Sequence, residues 1–259
     1  MNGRELSAAL RGGRRVYGTM VVSPSPRWPG VARQAGLDFV FIDTEHNSLD
    51  RETVAWMCQA YRALGVAPIV RIPEPDPYRA CMALDGGAEG IIAPYVETPE
   101  QVQALRGAAR LRPLKGQRLH DYLGGAATLE PGLSEYLAAR NAATVLIANI
   151  ESTPAIASLD AILAVPGLDA VLIGPHDLTC SLGIPEQYQH PRFDEAVRTI
   201  IRKARARGVG AGIHFWTSIE QEIDWAREGA NLMVHSGDVM FFGQGLRDDL
   251  AKLKGALGE

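Results

Sequence analysis

Several short apolar runs in this chain end in residues able to do acid–base or electrostatic chemistry. Phe39-Val-Phe-Ile is followed by Asp43-Thr44-Glu45-His46, and Ile69-Val70 by Arg71. Leu146-Ile-Ala-Asn-Ile leads to Glu151, and Val171-Leu-Ile to Gly174-Pro175-His176-Asp177. His214 and His235 close two later runs. Glu151 and Asp177 would repel each other at one rim unless a cation lay between them. A hard divalent ion such as Mg²⁺ or Mn²⁺ suits two carboxylates that leave positions open for substrate. The same spacing also fits helix caps, since Asp177 opens a helical pattern and Glu151 precedes Ser-Thr-Pro. His46, three residues after Asp43, is a candidate general base if a carboxylate orients it, or a surface-loop histidine. Arg71 offers a planar fork for a carboxylate or an enolate oxygen, or a salt bridge to a rim acid. His214 and His235 are pocket-lining candidates or hydrogen-bonded core residues.

Other chemistries lack their residues. Lysine occurs only at 115, 203, 252 and 254, and none of these lies on an apolar run. A Schiff-base mechanism needs a desolvated lysine as nucleophile, so it is disfavoured. No G-x-G-x-x-G follows a run, and Gly86-Gly87 and Gly124-Gly125 read as turns. Cys58, Cys81 and Cys180 are widely spaced and fit neither a zinc pattern nor a disulfide framework, which suggests a reducing compartment.

The elements that must position these residues alternate strictly. The runs Val16–Val22, Phe39–Asp43, Pro68–Ile72, Gly90–Pro94, Thr144–Glu151, Ala170–Gly174, Gly210–His214 and Asn231–His235 are apolar nearly throughout. That is the pattern of strands buried on both faces of a parallel sheet. Amphipathic stretches such as Arg51–Leu64, Pro99–Ala109, Ala155–Val165, Phe193–Arg207 and Ser218–Glu228 lie between them. Eight such units predict an α/β fold, a single (β/α)₈ TIM barrel over residues 1–259, with chemistry at the C-terminal strand ends. One stretch, about 111–141, breaks the rhythm as an insertion with a helical patch near Leu133–Arg140. Insertions of this length serve as lids or partner contacts. With 259 residues, 46% of them hydrophobic, and a net charge of −4, the chain is an ordinary globular one without an electrostatic footprint for nucleic acid or anionic membrane. No apolar run is long enough to span a bilayer and no signal-peptide core is present, so a cytoplasmic location is expected.

Taken in order and spacing, Ile42-Asp43-Thr44-Glu45-His46, Val70-Arg71, Ile150-Glu151-Ser152 and Ile173-Gly174-Pro175-His176-Asp177-Leu178 resemble the HpcH/HpaI aldolase family. These are metal-dependent (class II) pyruvate aldolases of the phosphoenolpyruvate/pyruvate barrel superfamily. The likeness runs from about Val16 to about Gly243. It implies that Glu151 and Asp177 hold a divalent metal (Mg²⁺, Mn²⁺ or Co²⁺). The metal chelates a pyruvate-like 2-keto acid, Arg71 stabilises the enolate oxygen, and His46 is the base. Asp43 and Asp85 match the acids that polarise that histidine, and the backbone at Gly174–His176 donates to the substrate carboxylate, with Pro175 lining it. Asn149 stands where the family commonly has a substrate-contacting glutamine. The resemblance also implies a C-terminal helix packed on a neighbouring subunit, with a homo-hexamer favoured. The apolar stretch Val239-Met240-Phe241-Phe242 suits either core or such a contact.

The implied reaction adds the enolate reversibly to an aldehyde and cleaves 4-hydroxy-2-keto acids in reverse. Besides Asn149, two features depart from the family. Gly116-Gln117-Arg118-Leu119-His120 replaces an Arg-Gly-Val-Gly-like loop that covers the aldehyde side, and Met20 replaces an aromatic residue. An acyl-CoA lyase of the citryl or malyl-CoA kind, or an oxaloacetate decarboxylase on the same barrel, is the alternative. The Asp-x-Glu-His motif and the lack of a basic stripe for a CoA diphosphate argue against the CoA reading.

Overall fold

In a computed structural model, residues 1–258 are described. Eight strands close into one parallel barrel in sequence order. They are β1 (Val16–Val21), β2 (Phe39–Asp43), β3 (Ala67–Arg71), β4 (Gly90–Ala93), β5 (Val145–Asn149), β6 (Ala170–Ile173), β7 (Gly210–Phe215) and β8 (Leu232–Gly237). The first helices are α1 (Gly3–Gly12), α2 (Trp28–Gln34), α3 (Arg51–Ala63), α4 (Pro77–Asp85) and α5 (Pro99–Arg110). Then come α6 (Gly116–Leu123), α7 (Pro131–Arg140), α8 (Thr153–Ala157), α9 (Leu159–Leu163) and α10 (Pro175–Ser181). The last are α11 (Pro191–Ala206), α12 (Ile219–Glu228) and α13 (Asp238–Leu257). The expected single helix Ala155–Val165 is two short ones, hinged at Ser158, which ends α8 and precedes α9.

Two apolar layers explain why the runs lack alternation. Phe39, Phe41, Ala67, Ile69, Ile92, Val145, Ile147, Ala170, Leu172, Leu232 and Val234 fill the barrel interior. The intervening residues, such as Val40, Ile42, Val70 and Ile91, pack outward against the helices. Helix α1 plugs the N-terminal end, with Leu6 and Leu10 joining the interior cluster. Buried Asp169 anchors this plug, accepting from Ser7 Oγ at 2.6 Å and Arg11 Nε at 2.8 Å and pairing with Arg110.

The insertion holds two helices, not one. Its first, α6, lies along α5, with the Leu119 and Leu123 side chains against Gly107 and Gln103 Nε2 donating to the Leu123 carbonyl. Within the chain, the segment matched to the aldehyde-side loop therefore belongs to the outer helical layer. Helix α13 carries its apolar residues to the surface. Val239, Phe241 and Phe242 are exposed, so this stretch is no part of the chain's own core. Among the described residues, no helix is long and apolar enough to cross a membrane.

Candidate active site

Strand parity sets the floor of the barrel mouth. Continuing each inward set by one step brings Met20, Asp43, Arg71, Asn149, Gly174, His214 and Ser236 to the C-terminal end above the apolar layers. Asp43 and Arg71 are direct register partners on β2 and β3. Arg71 Nε donates to Asp43 Oδ1 at 2.7 Å, and Arg71 Nη1 lies 3.1 Å from Glu45 Oε2. The guanidinium also sits 5.0 Å from the centre of the Phe41 ring. Burial pushes the Asp43 carboxyl up, but the hydrogen bond and charge of Arg71 outweigh it and hold the group below the usual carboxylate range. The opposite holds at Glu45, where burial raises the carboxyl against the pull of Arg71 and His46. Both readings of Arg71 thus meet in one geometry. Two of its nitrogens are fixed by acids, and Nη2 is left without a protein partner among the described residues.

Across the mouth, Glu151 is 2% exposed. Its Oε1 accepts from the Tyr95 backbone N–H at 2.6 Å and its Oε2 from Asn149 Nδ2 at 3.0 Å. Tyr95 holds its amide there from a left-handed backbone, with φ of 48°. A Cβ on Gly174 would lie 2.0 Å from Glu151 Oε2, so only glycine leaves room for this carboxylate. Burial, with repulsion from Asp177 and Glu45, pushes the Glu151 carboxyl up to about 7. Neither acid is a helix cap. Ser152 caps α8 with its hydroxyl, and Gly174 precedes α10 with no side-chain cap. The Asn149 Oδ1 atom is buried without a hydrogen-bond partner. Among the described residues no three His, Cys, Asp or Glu side chains form a ready-made metal cluster. The pair Glu151 and Asp177, with an orphaned amide oxygen beside Glu151, is an oxygen-rich excess of acceptors. A hard divalent cation fits that donor set.

A carboxyl with a raised folded value binds its proton more tightly folded than unfolded. That stabilisation is complete below the unfolded value of 4.5 and is lost as pH rises through about 7. In chelator, the protein should therefore lose roughly 2 kcal/mol from this group between about pH 5.5 and about pH 8. Thermal melts at both pH values, compared with Glu151→Gln, isolate the effect. An equal pH dependence in both proteins would contradict it.

Two sequence expectations about the base find no direct hydrogen bond within the chain. His46 stands at the rim but is exposed, and its Nε2 lies 3.6 Å from Glu45 Oε2. Asp43 does not bond it, because Asp43 is spent on Arg71, on Asn47 Nδ2 at 2.8 Å and on the Glu45 N–H. Asp85 is the last residue of α4, which runs antiparallel to the strands, so it lies at the far end of the barrel. There it meets Arg112 Nη1 at 2.8 Å. Within one chain it cannot polarise His46. The two strand-end histidines also part. His214 faces the mouth, stacked edge-on to Phe41, whereas His235 points outward to Glu222 Oε1 at 2.7 Å. The backbone of Gly174, Pro175 and His176 lies at the start of α10, beside Glu151. Glu45 and Tyr95 escaped the sequence reading as site residues. Glu45 stood in the motif as a signal. Tyr95 had none, because its contribution is a backbone N–H.

These features define a (β/α)₈ barrel whose titratable side chains gather at the C-terminal strand ends. A model of the HpcH/HpaI aldolase/citrate lyase family matches residues 18–242. A 2-keto-3-deoxy-L-rhamnonate aldolase from Salmonella gallinarum is 32% identical over 247 residues, covering 95% of this chain and 91% of the relative. Among solved structures, an HpcH/HpaI aldolase from Desulfitobacterium hafniense superposes with a TM-score of 0.84 at 29% identity, covering 96% of each chain. The citrate synthase SbnG superposes at 0.83 and 31% identity, covering 98% of this chain and 99% of that one. The chain belongs to the HpcH/HpaI aldolase/citrate lyase family, and its reaction class is that of an aldolase.

Proposed function

We propose that this aldolase is divalent-metal dependent, forms the enolate of a pyruvate-type 2-keto acid in the barrel mouth, and adds it reversibly to an aldehyde. The observation that carries this is the opposition of two sets across the floor. On one side Arg71 is a guanidinium fixed by two acids. On the other lie two carboxylates and an unpartnered amide oxygen with no cation of their own. Glu151 and Asp177 would hold the metal, which supplies Lewis-acid polarisation of a keto oxygen. Arg71 stabilises negative charge as it develops on the enolate oxygen. His46, exposed at the rim beside Glu45, takes the C3 proton. The backbone N–H groups of Gly174 and His176, on either side of Pro175 at the start of α10, receive the substrate carboxylate. The relative's name directs the first substrate screen to 2-keto-3-deoxy sugar acids.

A homo-oligomer is part of the same reading. Val239, Phe242, Leu246, Leu250, Leu253 and Leu257 recur every three or four residues along α13 and are all exposed. That spacing suits packing on another helix. The hexamer rests on the family resemblance, and so does the cytoplasmic location.

Exchange of the pyruvate methyl protons in D₂O, followed by NMR, tests the half-reaction without knowing the aldehyde. Exchange should stop in chelator, return with Mg²⁺, Mn²⁺ or Co²⁺, and fall at least about 100-fold in His46→Ala and Glu151→Ala. A folded protein with no exchange under any metal would overturn the reading.

A further inference from the structure

His214 is a half-buried imidazole on the floor of the mouth that the reaction outlined above does not use. Its strand, β7, turns Gly210 toward the interior, against Leu10 and Ala170, and sends Ala211 and Ile213 outward. Two steps on from Gly212, His214 faces inward, with its ring 5.5 Å from Phe41 and 5.4 Å from Trp216. It is the one residue of β7 that is not fully buried. Because it points inward, that exposure is to the mouth. Its Nε2 lies 2.9 Å from the Ser236 carbonyl oxygen, which can only accept, so Nε2 carries the proton. Burial pushes the imidazole down to about 4, so the ring is neutral at ordinary pH and Nδ1 is a bare acceptor. Nδ1 has no partner among the described residues.

A bound 2-keto acid that uses its carboxylate and ketone at the β5 and β6 side leaves C3 as the carbon turned to the rest of the floor. A methyl group there has nothing to give Nδ1. A hydroxyl on C3 does. A carboxylate on C3 does not, because it has no hydrogen to donate and would meet a lone pair on a neutral ring. We propose that His214 selects the nucleophilic substrate, its Nδ1 accepting a hydrogen bond from a hydroxyl on C3, so that the site prefers 3-hydroxy-2-keto acids to pyruvate. This rests on the enolate-forming reading of the site.

The test is C3 proton exchange in D₂O with pyruvate, 3-hydroxypyruvate and oxaloacetate as probes, in the metal-loaded enzyme. Wild type should show a higher kcat/KM for 3-hydroxypyruvate than for either of the others. His214→Leu should lower the ratio of 3-hydroxypyruvate to pyruvate by roughly 10- to 100-fold, since the hydroxyl then lacks its acceptor. His214→Asn, which can place an amide oxygen near the Nδ1 position, should recover part of that ratio and guards against a folding defect in the first variant. Calorimetric binding of the two keto acids should move in the same direction as the kinetic ratio. A wild type that favours pyruvate or oxaloacetate, or a ratio that does not change in His214→Leu, overturns the proposal while leaving the enolate chemistry standing. No exchange with any of the three acids overturns both.

Discussion

Arg71→Lys should slow C3 proton exchange of a 2-keto acid by roughly 10²- to 10³-fold, the usual cost of removing one preorganised donor to a developing oxyanion. Lysine keeps the charge and loses the fork. Arg71 Nε is committed to Asp43 at 2.7 Å and Nη1 to Glu45 at 3.1 Å. That hydrogen bond and the ion pair orient the plane so that the third nitrogen is free for a ligand. An ammonium is a point charge on a flexible stem and cannot satisfy both acids while also reaching the enolate oxygen. Arg71→Ala should add a stability defect. It leaves Asp43, 1% exposed, as a buried carboxylate without its partner. Breaking such a pair costs about 3–5 kcal/mol. Exchange rates and thermal melts on both variants separate the two roles. An Arg71→Lys enzyme within threefold of wild type would show that the arginine is only structural.

Gly174→Ala should weaken divalent-metal binding by roughly 10- to 100-fold, the range seen when a group that orients a ligand is disturbed. The Gly174 backbone has φ of −87°, which alanine adopts freely, so the effect is not conformational. It is a collision. The new methyl would stand 2.0 Å from Glu151 Oε2 and 3.1 Å from its Cδ. The carboxylate cannot simply turn away, because the Tyr95 N–H holds one oxygen and Asn149 Nδ2 the other. Mn²⁺ binding followed by electron paramagnetic resonance reads the loss directly. Shortening the acid in the double variant Gly174→Ala/Glu151→Asp should relieve the clash and return part of the affinity. Unchanged Mn²⁺ affinity in Gly174→Ala would remove Glu151 from the proposed ligand set.

The strands were legible because each is an unbroken apolar run punctuated by turns. Observed β2, for instance, spans Phe39–Asp43 as expected. The polar residues at their ends were legible for the same reason, since a titratable group interrupting such a run has to sit at a rim. What those residues face was not. A strand buried on both sides has no alternation to read, so nothing local distinguishes His214, which enters the mouth, from His235, which leaves it for Glu222. The motif Asp43-Thr44-Glu45-His46 suggested a dyad of neighbours. Closure of the barrel instead put Asp43 in register with Arg71, whose Nε donates to it at 2.7 Å. Asp85 shows the same limit, because a helix returning along the barrel carries its last residue to the opposite end.

The sequence by itself determined the architecture and the inventory of the rim. Eight apolar runs separated by amphipathic helices close as a barrel whichever way each side chain turns. Tertiary structure alone decided the partnerships, which depend on inter-strand register and inward parity. Those come from sheet closure, in which glycines such as Gly174 leave the space that a distant carboxylate occupies.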